Sequence, residues 1–288
     1  MDVMNDSILK KYQSHAADSE LGKKTEYDQS YNPKRLYPIP RDGKRREIGI
    51  DPNKLPFAGF DCWNHYEVSW LNEKGKPIVA IAEIYYDCTS PFIVESKSLK
   101  LYFNSFNHSK FKSVGDVEAI IQHDIKKAIE TDVTVIIHPL GRFQSGLRLE
   151  KFDGDCIDDL DIECTKYTVD PSYLATIDEQ VDETLYSDLL KSNCLVTNQP
   201  DWGSVQIIYK GKKINREGLL RYLVSFRNHN EFHEQCIERI FVDIMTYCKP
   251  SELTIYGRYT RRGGLDINPY RSTKNVSFKN MNYRLIRQ

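Results

Sequence analysis

The chain has 288 residues, and 40 Lys and Arg against 41 Asp and Glu leave a formal net charge of -1. That balance argues against wholesale electrostatic binding of nucleic acid, which requires a basic surface. No apolar run approaches the roughly 20 residues that span a bilayer, and the polar N-terminus lacks the apolar centre of a secretory signal. These features predict a globular protein of one or two domains that is not membrane-bound.

The cysteines and histidines, seven of each, give no pattern typical of a disulfide framework or a metal site. The number of cysteines is odd, and no two are spaced as C-x-x-C. His229 and His233 are four residues apart, but no acid or cysteine makes an obvious third ligand. We therefore expect reduced thiols, a cytoplasmic location and no bound metal.

The N-terminal residues 1–56 carry scattered proline and glycine and predict an irregular arm. Its basic stretch, Lys34–Arg46, is expected to be solvated, and contact with phosphate is the alternative. Two segments rich in β-branched and aromatic residues follow, at Tyr66–Leu71 and Ile78–Tyr86, with turn formers between them. This arrangement predicts a β-hairpin.

A helix is predicted over Val117–Ile129, because its apolar residues recur at helical spacing. A short strand over Val133–His138 should follow, with Pro139 and Gly141 ending it. The acidic stretch from Gly141 to about Asp161 lacks the order of an EF-hand, so a solvated connector is favoured over a calcium site.

The second half repeats this outline. Val205–Tyr209 predicts a strand with a turn at Lys210–Lys212, a long helical region covers about Arg216–Cys248, and Leu253–Tyr259 predicts a strand. The segment YFNSFNH from Tyr102 also echoes YLVSFRNH, about 120 positions later. The pattern predicts an α+β fold of two tandem modules, residues 57–160 and 161–288, each an antiparallel sheet with helices packed on one face.

Two segments of the second module could carry chemistry. Cys194 precedes a polar loop and Asp201, which suggests an exposed thiol near a carboxylate that could act as nucleophile and acid. The alternative is a half-buried structural cysteine. His233 falls within the apolar arc of its helix and Glu234 on its edge. The pair could hold a ligand with several N–H donors, or it could be a satisfied core histidine beside an edge carboxylate.

Two further segments could bind a phosphate. The segment Glu95–Lys100 combines an acid, two hydroxyls and two lysines, and its alternative is a helix start capped by Ser96 or Ser98. The segment Arg258–Gly264 places three arginines and two glycines after a strand, which also occurs in ordinary surface turns. No G-x-G-x-x-G motif is present, so a Rossmann domain is not expected.

Four motifs occur in a fixed order along the chain, and together they are more specific than any one of them. They are E-S-K-S-x-K from Glu95, Cys194 with Asp201, Phe232-His233-Glu234, and Arg261-Arg262-Gly263-Gly264. The sequence resembles the long, two-module form of the NADPH-dependent 7-cyano-7-deazaguanine reductases of queuosine biosynthesis. The resemblance extends from about Lys24 to Gln288 and is strongest over Leu189–Asn268. It implies two tandem modules of the tunnelling-fold superfamily and a homodimer.

The resemblance also implies the chemistry, a four-electron reduction of a nitrile to a primary amine with two NADPH. Cys194 would form a covalent thioimide and Asp201 would be the general acid. The residues implied in binding the substrate are Val94, Glu95, Ser96, His233 and Glu234, and those implied in binding NADPH are Ser96, Lys97, Arg262 and Gly263.

Two other interpretations of the sequence remain open. One is a zinc-dependent purine or pterin cyclohydrolase of the same superfamily, for which no plausible set of zinc ligands stands out. The other is a non-catalytic purine-binding module in which Cys194 is structural.

Overall fold

The computed structural model describes residues 27–140, 149–279 and 281–288. These residues divide into two compact units. The described part of the first unit spans 27–47, 62–140 and 261–266, and that of the second spans 48–61, 149–260, 267–279 and 281–288. Both units are α+β with mostly antiparallel strands, as the sequence predicted. Among these residues no helix is long and apolar enough to cross a membrane.

The first unit contains a three-stranded sheet, two main helices and a short pair of strands. Its elements are β1 (Pro38–Pro40), α1 (Asp42–Glu47), β2 (Ala58–Leu71, which enters the unit at Cys62), β3 (Pro77–Asp87), β4 (Phe92–Val94), α2 (Ser96–Asn104), α3 (Val114–Ile129) and β5 (Val133–Pro139). β3 lies between β2 and β5, and β1 pairs with β4. The predicted hairpin, helix and strand are confirmed, and β2 extends further toward the N-terminus than expected. Gly141, predicted to help end the strand, lies outside the described residues.

The helix α3 shows why the local prediction succeeded. It begins after Ser113, whose side chain accepts a hydrogen bond from the Asp116 N–H at 3.1 Å. Its apolar face packs beside β5 and consists of fully buried aliphatic side chains, namely Val117, Ile121, Ile125 and Ile129. Burial of each such side chain contributes about 1.5–3 kcal/mol, so the face holds the helix on the sheet.

The basic stretch of the N-terminal arm is solvated only in part, since Lys34 and Arg46 are exposed but three other cations are not. Arg41, Lys44 and Arg45 are all buried, with 2–3% of their surface exposed. The Arg41 guanidinium donates to the Ser90 hydroxyl, and Arg45 donates to the Cys88 carbonyl. These acceptors lie more than 40 residues away from the arginines along the chain. Composition alone therefore could not indicate that the cations would find hydrogen-bond acceptors inside the unit.

The second unit is a larger sheet with two main helices. Its elements are β6 (Leu149–Glu150), β7 (Asp155–Cys156), β8 (Thr176–Ser187), β9 (Lys191–Asn193), β10 (Pro200–Ile214), α4 (Arg216–Val224), α5 (His233–Tyr247), β11 (Glu252–Tyr259), β12 (Leu265–Ser272, which enters the unit at Ile267) and β13 (Arg284–Leu285). β10 is flanked by β8 and β11, both antiparallel to it, and β12 lies beyond β11. The strand over Leu253–Tyr259 is confirmed. Part of the predicted acidic connector instead forms β7, parallel to β8.

Two predictions in this unit are wrong. The Lys210–Lys212 segment is not a turn, because β10 continues through it and pairs with β8, with Gly211 opposite Val181. The helical region of residues 216–248 is broken: α4 ends at Val224, a short 3-10 helix follows, and α5 starts only at His233. Between them the chain leaves the helix, because the His229 carbonyl and the Glu231 N–H hydrogen-bond the backbone of Asn193.

The internal repeat is confirmed by equivalent hydrogen bonds in the two units. The Tyr102 hydroxyl in α2 donates to Asp124 in α3 at 2.7 Å, and the Tyr222 hydroxyl in α4 donates to Asp243 in α5 at 2.6 Å. In each unit a buried tyrosine of the shorter helix is thus hydrogen-bonded to an aspartate of the longer one. The repeated sequence therefore encodes a repeated module.

Candidate active site

Cys194 lies directly after β9, in a tight loop that leads into β10. Its backbone N–H donates to the Gln199 carbonyl at 2.8 Å, and its carbonyl accepts from the Asn198 N–H at 3.0 Å. The residue is buried, with 4% of its surface exposed. The expectation of an exposed thiol is therefore wrong, since the cysteine is buried although it lies in a loop.

Asp201 and His233 are brought together in the second unit. Asp201 lies in β10 opposite Ser192 and is 7% exposed. His233 is the first residue of α5, and its Nε2 lies 3.5 Å from a carboxylate oxygen of Asp201. The imidazole stacks on the ring of Tyr259 with 4.0 Å between ring centroids, so its plane is fixed by an aromatic side chain that the sequence analysis did not single out.

Glu234 follows in the first turn of α5 and is 1% exposed, although it was predicted only at the edge of the apolar arc. A carboxylate is favoured at a helix N-terminus, where the free N–H groups point toward it. Burial, together with the neighbouring Cys236, Asp201 and Glu234, raises the pKa of Tyr259 well above its ordinary value. Two carboxylates, an imidazole and a neutral phenol thus share one buried environment.

Glu95 in the first unit is the cap of α2. Its two carboxylate oxygens accept the backbone N–H groups of Lys97 at 2.8 Å and Ser98 at 2.7 Å. The alternative prediction, that a helix starts in this segment, is confirmed, because α2 begins at Ser96. Its cap, however, is Glu95 and not Ser96 or Ser98. Burial raises the pKa of the Glu95 carboxyl above its ordinary value, and the two N–H groups oppose this effect. Val94 ends β4 immediately before the cap.

Lys97 and Gly263 line one cavity of the first unit, with a volume of about 330 Å³. Neither Ser96 nor Arg262 contributes to its lining. The other lining residues are Tyr27, His65, Glu67, Lys100, Leu101 and Asn104. Burial lowers the pKa of His65 to about 4, so its imidazole is neutral near pH 7, and the lysines supply the positive charge. Of these residues, the sequence analysis had singled out only Lys97, Lys100 and Gly263.

The glycine pair forms a tight turn at this cavity. The Arg262 N–H donates to the Leu265 carbonyl at 3.0 Å, and Gly263 and Gly264 both have left-handed backbones, with φ of 60° and 72°. The Gly264 carbonyl accepts from the Tyr66 N–H at 2.8 Å and lies 3.0 Å from His65 Nδ1. Only glycine adopts this conformation freely, so the turn depends on both residues.

The two units therefore offer different chemistry. The second contains a buried thiol, together with carboxylates and an imidazole suited to proton transfer and to hydrogen bonding of N–H donors. The first contains a cavity with two lysines and a glycine turn, which suits a phosphate group. Within the ranges that the structure describes, no three His, Cys, Asp or Glu side chains are grouped so that they could hold a metal ion.

Comparison with known proteins gives matches over nearly the whole chain. Residues 27–137 match the family described as "Nitrile reductase, 7-cyano-7-deazaguanine-reductase N-term", and residues 200–277 match the family described as "QueF-like protein". A Legionella pneumophila (strain Corby) protein named NADPH-dependent 7-cyano-7-deazaguanine reductase is 65% identical over 285 residues, 99% of this chain and 100% of the relative. Proteins of the same name from Dechloromonas aromatica and Azoarcus sp. are each 54% identical, and the alignments cover 96% and 90% of this chain and 96% and 92% of the respective relatives. The chain belongs to the family of NADPH-dependent 7-cyano-7-deazaguanine reductases.

Proposed function

We propose that this protein reduces the nitrile of 7-cyano-7-deazaguanine to the aminomethyl group of 7-aminomethyl-7-deazaguanine, a step of queuosine biosynthesis. The observation that carries the proposal is the grouping of Cys194, Asp201, His233 and Glu234 in one unit of a chain that is 65% identical to a relative of that name. The reaction takes up four electrons and four hydrogens: two NADPH molecules would supply two hydrides, which carry the four electrons, and two protons would complete the balance.

Cys194 would be the nucleophile. A thiolate is the side-chain nucleophile best suited to a modestly electrophilic nitrile carbon near neutral pH. The sulfur would form a bond to that carbon, one π bond of the nitrile would break, and its electron pair would move to nitrogen. Nitrogen must then take up a proton, which Asp201 would donate, giving a covalent thioimide. The later release of sulfur from carbon would return the thiolate to Cys194.

The ring of the substrate would be held by Glu234 and His233. A guanine-like edge presents several N–H donors, and a carboxylate can accept them in pairs. Glu234 is buried at a helix N-terminus, so its hydrogen bonds would form away from competing water. Val94, Glu95 and Ser96 of the first unit would contribute further contacts. One Glu95 oxygen accepts the Lys97 N–H and the Ser96 hydroxyl, whereas the other accepts the Ser98 N–H and keeps capacity for a second donor.

The cofactor would be held by Ser96, Lys97, Arg262 and Gly263. The cavity bounded by Lys97 and Gly263 fits this role, because lysine ammonium groups attract phosphate and a glycine turn lets a phosphate approach the backbone. Lys97 and Arg262 would face the 2′-phosphate that distinguishes NADPH from NADH. Ser96 and Arg262 would act from the positions next to the two lining residues.

We further propose a cytoplasmic homodimer that does not bind nucleic acid directly. Its modules would be residues 57–160, with the E-S-K-S-x-K segment, and 161–288, with the nucleophile, after an arm at 1–56. The repeated tyrosine–aspartate pairs support two modules of common design, and the near-zero net charge supports the absence of nucleic acid.

The function is tested by mixing the protein with 7-cyano-7-deazaguanine in the absence of NADPH. The intact mass should rise by one substrate, and peptide mapping should place the adduct on Cys194. The Cys194→Ala variant should give no adduct, whereas Cys156→Ser, which replaces an exposed cysteine, should behave like the parent. An adduct that persists in Cys194→Ala would refute the assignment, and NADPH oxidation upon addition of substrate would test the overall reaction.

A further inference from the structure

The loop that carries Cys194 is closed by its own backbone. The two hydrogen bonds between Cys194 and the pair Asn198 and Gln199 bring the ends of the loop together. Asn198 has a left-handed backbone, with φ of 55°, which asparagine tolerates better than most residues. The position of the sulfur therefore depends on a short, tightly turned segment, and small changes in this segment would move it.

A single side chain from elsewhere in the second unit fastens this loop. The Asn230 side-chain amide donates to the Cys194 carbonyl at 3.3 Å and to the Asn198 side-chain oxygen at 3.0 Å. Its own oxygen accepts from the Asn193 side chain at 3.4 Å. The two amide hydrogens of Asn230 are thus bonded to Cys194 and to Asn198 at the far end of the loop, and its oxygen is bonded to Asn193, the residue before the nucleophile.

The backbone on either side of Asn230 is fixed independently. The Asn193 N–H donates to the His229 carbonyl at 2.8 Å, and the Glu231 N–H donates to the Asn193 carbonyl at 3.1 Å. This pairing holds the segment of residues 229–231 alongside the end of β9. The backbone on both sides of Asn230 is therefore hydrogen-bonded to Asn193, the residue that precedes Cys194.

A buried ion pair anchors the same segment to α5. The Glu231 carboxylate, 1% exposed, accepts from Arg239 Nε at 3.0 Å and Nη2 at 2.8 Å. Nε2 of His229 lies 2.9 Å from the same carboxylate. Burial acts to raise the pKa of Glu231, but the charge of Arg239 and the hydrogen bonds from Arg239 and His229 outweigh it and hold this pKa below its ordinary value. The anchor therefore stays ionised and hydrogen-bonded near neutral pH.

We propose that Asn230 is a positioning residue for the nucleophile, holding the Cys194 loop in the geometry that attacks the nitrile, with the Glu231–Arg239 pair as its anchor on α5. The inference rests on the proposed function of Cys194. Asn230 acts through the loop and not on the substrate. Loss of its amide is therefore expected to slow the formation of the covalent adduct while leaving noncovalent binding of the substrate and of NADPH unchanged.

The first experiment measures adduct formation without NADPH, by rapid quench and intact mass, in Asn230→Ala. The rate should fall by about 10- to 100-fold, the effect of a misplacement on the order of 1 Å. Asn228→Ala is the matched control, because Asn228 lies two residues earlier and its side chain is exposed. Asn198→Gly should show a smaller loss, since glycine keeps the left-handed turn but removes one acceptor for Asn230.

The second experiment separates positioning from substrate binding. In a Cys194→Ala background no covalent bond can form to that residue, so the dissociation constant of the substrate reports binding alone. Adding Asn230→Ala to this background should leave the constant unchanged. A weakening of tenfold or more would overturn the proposal, because Asn230 would then act on the ligand. An unchanged adduct rate in Asn230→Ala would overturn it as well.

The third measurement distinguishes failure of this inference from failure of the proposed function. Iodoacetamide alkylation of Cys194, followed by peptide mass spectrometry, needs no nitrile chemistry. A loosened loop should expose the buried thiol, so Asn230→Ala should be alkylated faster than the parent and Asn228→Ala at the parental rate. If no protein forms an adduct with the nitrile yet this difference is found, the loop tether stands and the assigned reaction fails. Equal alkylation rates in all three proteins would refute the tether.

Discussion

Gly263→Ala tests whether the cavity of the first unit holds NADPH. A methyl group at Gly263 would lie 2.9 Å from the Lys100 ammonium nitrogen and 3.2 Å from its neighbouring carbon. Since the end of a lysine side chain is flexible, Lys100 can move away at little steric cost. The ammonium would have to leave its present position at the cavity, and a contact that it makes there to a phosphate would be lost.

The magnitude has two parts. Alanine in a left-handed conformation costs about 1–2 kcal/mol, and this part should appear in the free energy of unfolding. A charge-assisted contact to a phosphate contributes about 1.5–3 kcal/mol. Its loss should raise the Michaelis constant for NADPH by about 10- to 100-fold. Formation of the Cys194 adduct should be unaffected, because it needs no cofactor.

Gly75→Ala is the matched control for backbone strain. Gly75 also has a left-handed backbone, with φ of 80°, and its nearest neighbour would be a lysine carbon 4.0 Å from the added methyl group. It should lose similar stability in urea unfolding and keep the parental Michaelis constant for NADPH. In a Lys100→Ala background, Gly263→Ala should raise that constant no further. Equal constants for Gly75→Ala and Gly263→Ala would show that this cavity does not bind the cofactor.

Three further predictions concern the second site, the core and pH. Glu234→Gln should weaken substrate binding by about 1–3 kcal/mol, whereas Asp201→Asn should leave binding nearly unchanged and slow turnover; equal binding losses in titrations would mean that the roles are confused. Arg271→Met should lower the free energy of unfolding by about 3–5 kcal/mol, because it leaves two buried carboxylates without their cation; a loss under 1 kcal/mol in urea would contradict this. The hydrogen bond to Glu83 raises the pKa of His138 above 6.5, so its contribution to stability should be full below pH 6.5 and be lost as pH rises through the raised pKa; His138→Gln should remove this dependence in unfolding curves, and an unchanged dependence would refute it.

The local sequence pattern correctly predicted those helices and strands whose stabilising features lie within the segment itself. The face of α3 recurs every three to four residues, and β2 and β3 alternate around a turn, so the sequence near each element contains the signal. The segment at Lys210–Lys212 contains turn formers but lies in β10, where all three residues pair with β8 and Lys210 also pairs with β11. Those partners lie roughly 30 to 40 residues away in sequence, and their ladder hydrogen bonds override local propensity.

The site could be predicted only in part for the same reason. The motifs around Cys194 and Glu95 were recognisable from a family resemblance, but their surroundings depend on distant contacts. His65 meets the Gly264 carbonyl across 199 residues of sequence, and no pattern near either residue indicates this contact. Asn230 reaches Cys194 across 36 residues because the chain leaves its helix before it, at the point where the sequence predicted a continuous helix.

Comparison of the repeated helices suggests why the phosphate-binding candidates lie in only one unit. Glu95 caps α2 and Asn215 caps α4, so the scaffold is preserved at both positions. At the offset of 120 residues that these caps set, Lys97 of the first unit faces a cavity, whereas its counterpart in the second is Glu217, which accepts a hydrogen bond from Arg221 at 3.2 Å. A carboxylate at that position repels a phosphate, whereas an ammonium attracts it. Duplication therefore kept the helix and its cap in both units, while the position that carries a cavity-lining lysine in the first unit carries a carboxylate in the second.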